Sequence, residues 1–120
     1  MCAFWLACIL IVTLPWGSFQ DHAHWDRVRW IPFLSPPFSI LDLTGNVVAY
    51  LPAGYLFRRL AARRTGLWPA LACAVALSLM TEATQVFSHS RFPSMTDVIC
   101  NGVGTWIGAA WARAQERKQV

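Results

Sequence analysis

Long apolar blocks separated by short polar stretches organise this chain. Met1 to Phe19 carries no charge, and Gln20 to Pro37 is polar and rich in Trp and Pro. Phe38 to Phe57 is apolar again, though interrupted by Asp42, Asn46 and Pro52. Leu67 to Ser88 follows, with Pro69 where a first helical turn tolerates it. Thr96 to Ala112 closes the pattern, near the short end of the roughly 17–25 residues a helix needs to cross a bilayer. Pro32, Pro36 and Pro37 break any helix between the first two blocks. The blocks predict an all-α integral membrane bundle of four transmembrane helices, at 2–19, 38–57, 67–88 and 96–112, in one domain covering 1–120. The first block reads as a helix rather than a cleaved signal peptide, because it lacks a basic leading region and a small-x-small cleavage site.

Composition strengthens the membrane reading. The hydrophobic fraction is 56% and the charged fraction 13%, against roughly 25% charged in a soluble domain. The net charge is +4, but its carriers are grouped: "RRLAARR" (Arg58 to Arg64) and "RAQERK" (Arg113 to Lys118) each follow an apolar block. Basic runs flanking apolar segments mark the cytoplasmic side, so both the N-terminus and the C-terminus are expected to be cytoplasmic. The loop containing Trp25 and Trp30 and the stretch "SHSRFPS" (Ser88 to Ser94) then face outward. Such grouping excludes a nucleic-acid surface. Cys2, Cys8, Cys73 and Cys100 lie in apolar segments without a C-x-x-C pair, which predicts packing residues, with no disulfide framework and no zinc site. "DHAHWD" (Asp21 to Asp26) reads as a solvated loop without the fixed geometry a metal requires. No metal or cofactor is expected.

The polar residues inside the apolar blocks change the picture. Ser78, Glu82, Gln85 and His89 are spaced four, three and four apart, one stripe on a helix. Asp97, Asn101, Gly104 and Gly108 repeat that stripe, and Asp42 and Asn46 are four apart. With the predicted topology, Asp42, Glu82 and Asp97 all fall in the outer half of the membrane. A charge at the bilayer centre costs about 2.5–3.5 kcal/mol on the lenient insertion scale, so these acids must face one another, water or a partner. Arg91 in the outer loop is the obvious cation, yet one arginine cannot neutralise three carboxylates. A protonated and an ionised carboxylate side by side form a general acid–base pair. Gly104 and Gly108, in a G-x-x-x-G spacing, let the fourth helix approach a neighbour closely.

At these residues the chain resembles the VanZ-like family of small bacterial membrane proteins. The matching pieces are "DLTGNVVAYLPAGY" (Asp42 to Tyr55), "SLMTEATQVF" (Ser78 to Phe87), "RFPSMTD" (Arg91 to Asp97) and "DVICNGVGTWIG" (Asp97 to Gly108). The resemblance implies a multi-pass protein of the bacterial inner (plasma) membrane, in a family whose namesake is linked to low-level teicoplanin resistance. It supplies no reaction. The chain departs from family habit in lacking a histidine near the acid of the second helix; the nearest is His24. Three readings follow. In the first, an outward-facing pocket binds or modulates a cell-envelope lipid or lipid-linked precursor, with Asn46, Ser78, Gln85, Arg91 and Asn101 as ligand contacts. In the second, the same site is an enzyme in which Glu82 and Asp97, with Asp42, act as acid and base. In the third, the cluster only holds together a structural or accessory protein with a membrane-protein partner. Binding is favoured over catalysis because no nucleophile motif, phosphate loop or metal triad is present.

Overall fold

A computed structural model of the chain describes residues 2–14, 16–34, 39–60 and 66–118. Pro36, Pro37 and Phe38, and Arg63 and Arg64 of the basic run, lie outside the described residues. The fold is all-helical: α1 Cys2–Thr13, α2 Ile40–Leu60, α3 Trp68–Gln85 and α4 Met95–Lys118, with a short 3-10 turn at Trp25–Arg27.

Three boundaries differ from the sequence pattern. α1 stops at Thr13 rather than Phe19, so its 12 residues reach about 18 Å at 1.5 Å per residue. The Thr13 hydroxyl bonds back to the Ile9 carbonyl at 2.8 Å, and Gly17 takes a left-handed turn at φ 78° that sends the chain back toward α3. α3 ends at Gln85, which leaves His89 in a loop instead of on the helical stripe. α4 runs on to Lys118, six residues past Ala112, because its last turns carry partners for α2. α2 continues through Pro52.

α2 is the centre, touching each of the other helices, and its contact with α4 is the most extensive. Paired positions show that α2 and α4 run parallel: Val47 lies against Gly104, Leu51 against Gly108, and Arg58 against Glu116. α3 runs opposite, with Ser78 on Asn101 and Glu82 on Ser94. Any Cβ at Gly54, Gly104 or Gly108 would run into partner backbone, so these glycines set the spacing of the two helices. α1 crosses α2 where the Trp5 indole donates to the Ala49 carbonyl at 2.8 Å.

The burial pattern is inverted relative to a soluble bundle. Ser78, Thr81, Glu82, Gln85, Asn101 and Thr105 are buried, while Ile40, Leu41, Val48, Met80, Val103 and Trp106 are exposed. Among the described residues, Ile40–Leu60 is the one helix long and apolar enough to cross a membrane; Ala3–Thr13 is apolar but shorter.

Candidate functional site

The end of the bundle that gathers the C-terminus of α3 and the N-termini of α2 and α4 is closed by two interlocked loops. The Trp-rich loop donates from Gln20 N to the Phe87 carbonyl and from His24 N to the Val86 carbonyl, both at 2.8 Å. Farther along, Arg29 N reaches the Pro93 carbonyl at 2.8 Å, and Met95 N returns to the Arg29 carbonyl at 3.1 Å. These bonds hold Arg29 beside the start of α4.

Beneath the loops lies a cavity of about 450 Å³, within the roughly 300–1,000 Å³ range of small-molecule sites. Seven of the eight residues singled out from sequence line it: Asp42, Asn46, Glu82, Gln85, Arg91, Asp97 and Asn101. Ser78 is the eighth. It sits one layer below, fully buried, and its hydroxyl accepts from Asn101 Nδ2 at 2.8 Å.

Two of the three acids have a local reason for their place. Asp42 and Asp97 occupy first helical turns, where the helix dipole favours negative charge. Glu82 is different, since it lies near the C-terminal end of α3, where the dipole disfavours a carboxylate. Its Oε2 accepts from Ser94 N at 2.7 Å, and Ser94 Oγ in turn accepts from Thr96 N at 3.2 Å. Glu82 therefore ties the loop to the beginning of α4. Asp97 stands beside the Asn46 amide, within electrostatic reach of Asp42, Arg29 and Arg91. Gln85 Nε2 donates to the Thr13 carbonyl at 2.9 Å, and Arg91 donates to the Val12 carbonyl at 3.3 Å, so both pin the end of α1 to the cavity wall. Among the described residues, Arg91 forms no ion pair with an acid within 4.0 Å.

Two buried polar atoms at the cavity floor, the Tyr50 hydroxyl and Asn101 Oδ1, make no hydrogen bond within 3.5 Å among the described residues, although the Thr81 and Ser78 side chains adjoin the Tyr50 hydroxyl. Tyr50 is 1% exposed and Asn101 3%. A buried polar atom left unpaired costs about 1–3 kcal/mol, so a ligand offering one donor and one acceptor at that depth gains from both.

This set of residues now has a family setting, because the VanZ/LLP1 family matches residues 1–115. The chain belongs to the VanZ/LLP1 family. No match is found among curated proteins or among solved structures. In this VanZ/LLP1 protein, sequence reasoning missed Arg29 and Tyr50 as parts of the cavity. Arg29 lies in the Trp-rich loop, outside the polar stripes of the helices, and the loop pairing brings it to the wall. Tyr50 sits two helical turns below Asp42 on the same face, a spacing that could have pointed to it.

The VanZ/LLP1 chain also brings its three histidines together above the cavity. His24 Nε2 lies 3.1 Å from His89 Nδ1, and the His22 ring packs edge-on to His24 at 4.6 Å. His22 also bonds Asp21 at 2.9 Å. The His24 value lies below its ordinary one, first through partial desolvation, then through the Arg27 charge, with His22 and His89 adding; Asp26 alone opposes. A histidine whose folded value is depressed contributes stability above its unfolded value and loses it as pH falls below that value. Protonation also removes an acceptor from the His24–His89 bond. Acidifying from about pH 8 to about pH 5 is therefore expected to speed hydrogen exchange at the Gln20 and His24 amides beyond the intrinsic trend. Exchange that follows the intrinsic pH trend alone would show that the histidine contact does not hold the loop.

Proposed function

We propose that this protein is a multi-pass membrane protein, with both termini on the cytoplasmic side, whose cavity opens outward and binds the head group of a cell-envelope lipid or lipid-linked precursor. The observation that carries the reading is the cavity itself: polar residues from three helices converge on one space whose floor holds unsatisfied atoms. The membrane part is supported by the inverted burial and by the exposed Trp16, Trp25 and Trp30 at one end and Trp68 and Trp111 at the other. Five of the six acids lie at the cavity end, while Arg58, Arg59, Arg113, Arg117 and Lys118 lie at the opposite end, as the positive-inside rule asks.

Charge on the wall narrows the head group. Arg29 and Arg91 face Asp42, Glu82 and Asp97 across one space, so the site carries both signs. A zwitterionic head, a phosphate with a nearby amine, satisfies the arginines and carboxylates together without leaving either unpaired. The link to teicoplanin resistance would run through such an envelope lipid. Catalysis by Glu82 and Asp97 is the weaker reading, since Glu82 Oε2 is already held by Ser94 N.

Native mass spectrometry of the gently extracted protein tests this. The wild type is expected to carry an amine- and phosphate-bearing lipid, with occupancy at least tenfold lower in Glu82→Gln/Asp97→Asn. Identical spectra, with the variant less stable to heat, would make the cluster a packing device.

A further inference from the structure

A second cavity of about 390 Å³ lies directly below the first, between α2 and α3. Its wall is apolar, drawn from Trp5, Ala53, Phe57, Cys73, Ala74 and Leu77. Its origin is a mismatch of lengths. α2 has 21 residues and α1 has 12, a difference of about 13 Å at 1.5 Å per residue. The Trp5–Ala49 bond sets where α1 crosses α2, and the far end of α1 is pinned at the cavity by Gln85 and Arg91, so α1 covers only the half of the α2–α3 seam nearer the polar site. The small residues Ala53, Ala70 and Ala74 leave the rest as a cleft.

The two spaces are joined at one residue. Tyr50 lines both, and its hydroxyl is one of the two atoms at the polar floor that make no hydrogen bond within 3.5 Å among the described residues. The other, Asn101 Oδ1, belongs to a residue that lines the polar cavity. A donor and an acceptor thus stand unsatisfied where polar lining gives way to apolar lining. That is the layout of an amphipathic molecule: head group, then a linkage with one acceptor and one donor, then hydrocarbon.

We infer that the cleft holds the hydrocarbon chain of the same lipid whose head group the polar cavity takes, so that the two spaces form one site for a single-chain, zwitterionic lipid. The inference rests on the head-group reading. In it, the Tyr50 hydroxyl donates to the ester or amide carbonyl at the head of the chain, and Asn101 Oδ1 accepts from the adjoining hydroxyl or amide N–H. The chain then follows the α2–α3 seam, where apolar burial contributes about 25 cal/mol per Å². The cleft that Tyr50 lines takes one chain, and this sets the one-chain preference.

Lysophosphatidylethanolamine, which carries an ester, a free hydroxyl, a phosphate and an amine, is the probe. Binding is measured by native mass spectrometry for long-chain and short-chain forms against wild type, Cys73→Trp and Glu82→Gln/Asp97→Asn. Cys73 is exposed in the cleft, so the larger side chain fills it from the open side; Leu56→Trp serves if that variant fails to elute as a single species. The expected result is at least tenfold weaker binding for the short chain, for Cys73→Trp and for Glu82→Gln/Asp97→Asn alike. Loss in Glu82→Gln/Asp97→Asn alone, with chain length and Cys73→Trp neutral, overturns the joined site and leaves the head-group reading standing. Loss in Cys73→Trp alone also overturns it, by making the cleft a separate lipid groove. Equal weak binding throughout removes both readings.

Discussion

Gly104→Ala and Gly108→Ala are each expected to destabilise the protein, while Gly102→Ala two residues away is expected to be tolerated. The three positions share a helix and a substitution, so propensity cannot separate them; alanine gains up to about 1 kcal/mol over glycine at each. Space separates them. A Cβ at Gly104 would run into the Val47 backbone and one at Gly108 into the Leu51 carbonyl, neither of which can rotate away. At Gly102 the nearest atoms are the Leu71 Cδ1 at 3.5 Å and the Val75 Cγ2 at 3.8 Å, ordinary contacts with flexible side chains. Overpacking against a well-packed core costs about 1–3 kcal/mol, and relief here requires α2 and α4 to move apart. That movement reaches the site, because Asn46 adjoins Val47 and Asn101 lies less than one turn from Gly104. Thermal unfolding in detergent should show lower midpoints for the first two variants, together with weaker lipid retention. Equal midpoints for all three would mean that the helices are not in backbone contact.

The glycine spacing was legible because a G-x-x-x-G pair has one common physical use in an apolar helix. The polar stripes were legible for a similar reason: a charged or amide side chain in an apolar block needs a partner, so Asp42, Glu82, Asp97 and their amides had to converge somewhere. What the pattern could not give was loop structure. Nothing in the composition of Gln20 to Pro32 signals that Arg29 pairs with Pro93 and Met95, since those bonds use backbone groups that every residue carries. Helix ends were hidden for a related reason. Residues 14–19 carry no charge, like α1 itself, and what ends α1 is a turn at Gly17 together with bonds from Gln85 and Arg91, residues 72 and 79 positions from their acceptors. At the other end, the tail after Ala112 looked like a charged anchor, and hydropathy alone hides that one face of it meets α2.

That face carries the second large effect. Arg58 was legible as one of a run of cytoplasmic arginines, but its guanidinium is buried against α4, 2.8 Å from Glu116 Oε2, with side-chain exposures of 6% and 14%. Tyr55, one turn earlier on α2, donates to Gln115 Oε1 at 2.8 Å and packs its ring 5.4 Å from Trp111. The pair thus closes the α2–α4 seam at the end opposite the cavity. Removing one member of a buried ion pair leaves the other as an uncompensated charge, at a cost of about 3–5 kcal/mol. Glu116→Ala is therefore expected to unfold at much lower temperature than wild type, with Arg58→Ala close behind. The double variant Arg58→Met/Glu116→Leu removes both charges and refills the volume, so it should recover most of the loss, since replacing a buried pair by apolar residues is often neutral or better. Arg59, exposed on the same turn, supplies the contrast: Arg59→Ala should leave the stability within about 0.5 kcal/mol of wild type, as surface changes do. If Glu116→Ala melts with wild type and Arg59→Ala, the Arg58 charge is solvated, and the run acts only as the topological anchor its sequence suggests. If the double variant recovers stability but reverses membrane orientation, one arginine serves both purposes, and the basic end of α2 sets the packing and the direction of the bundle together.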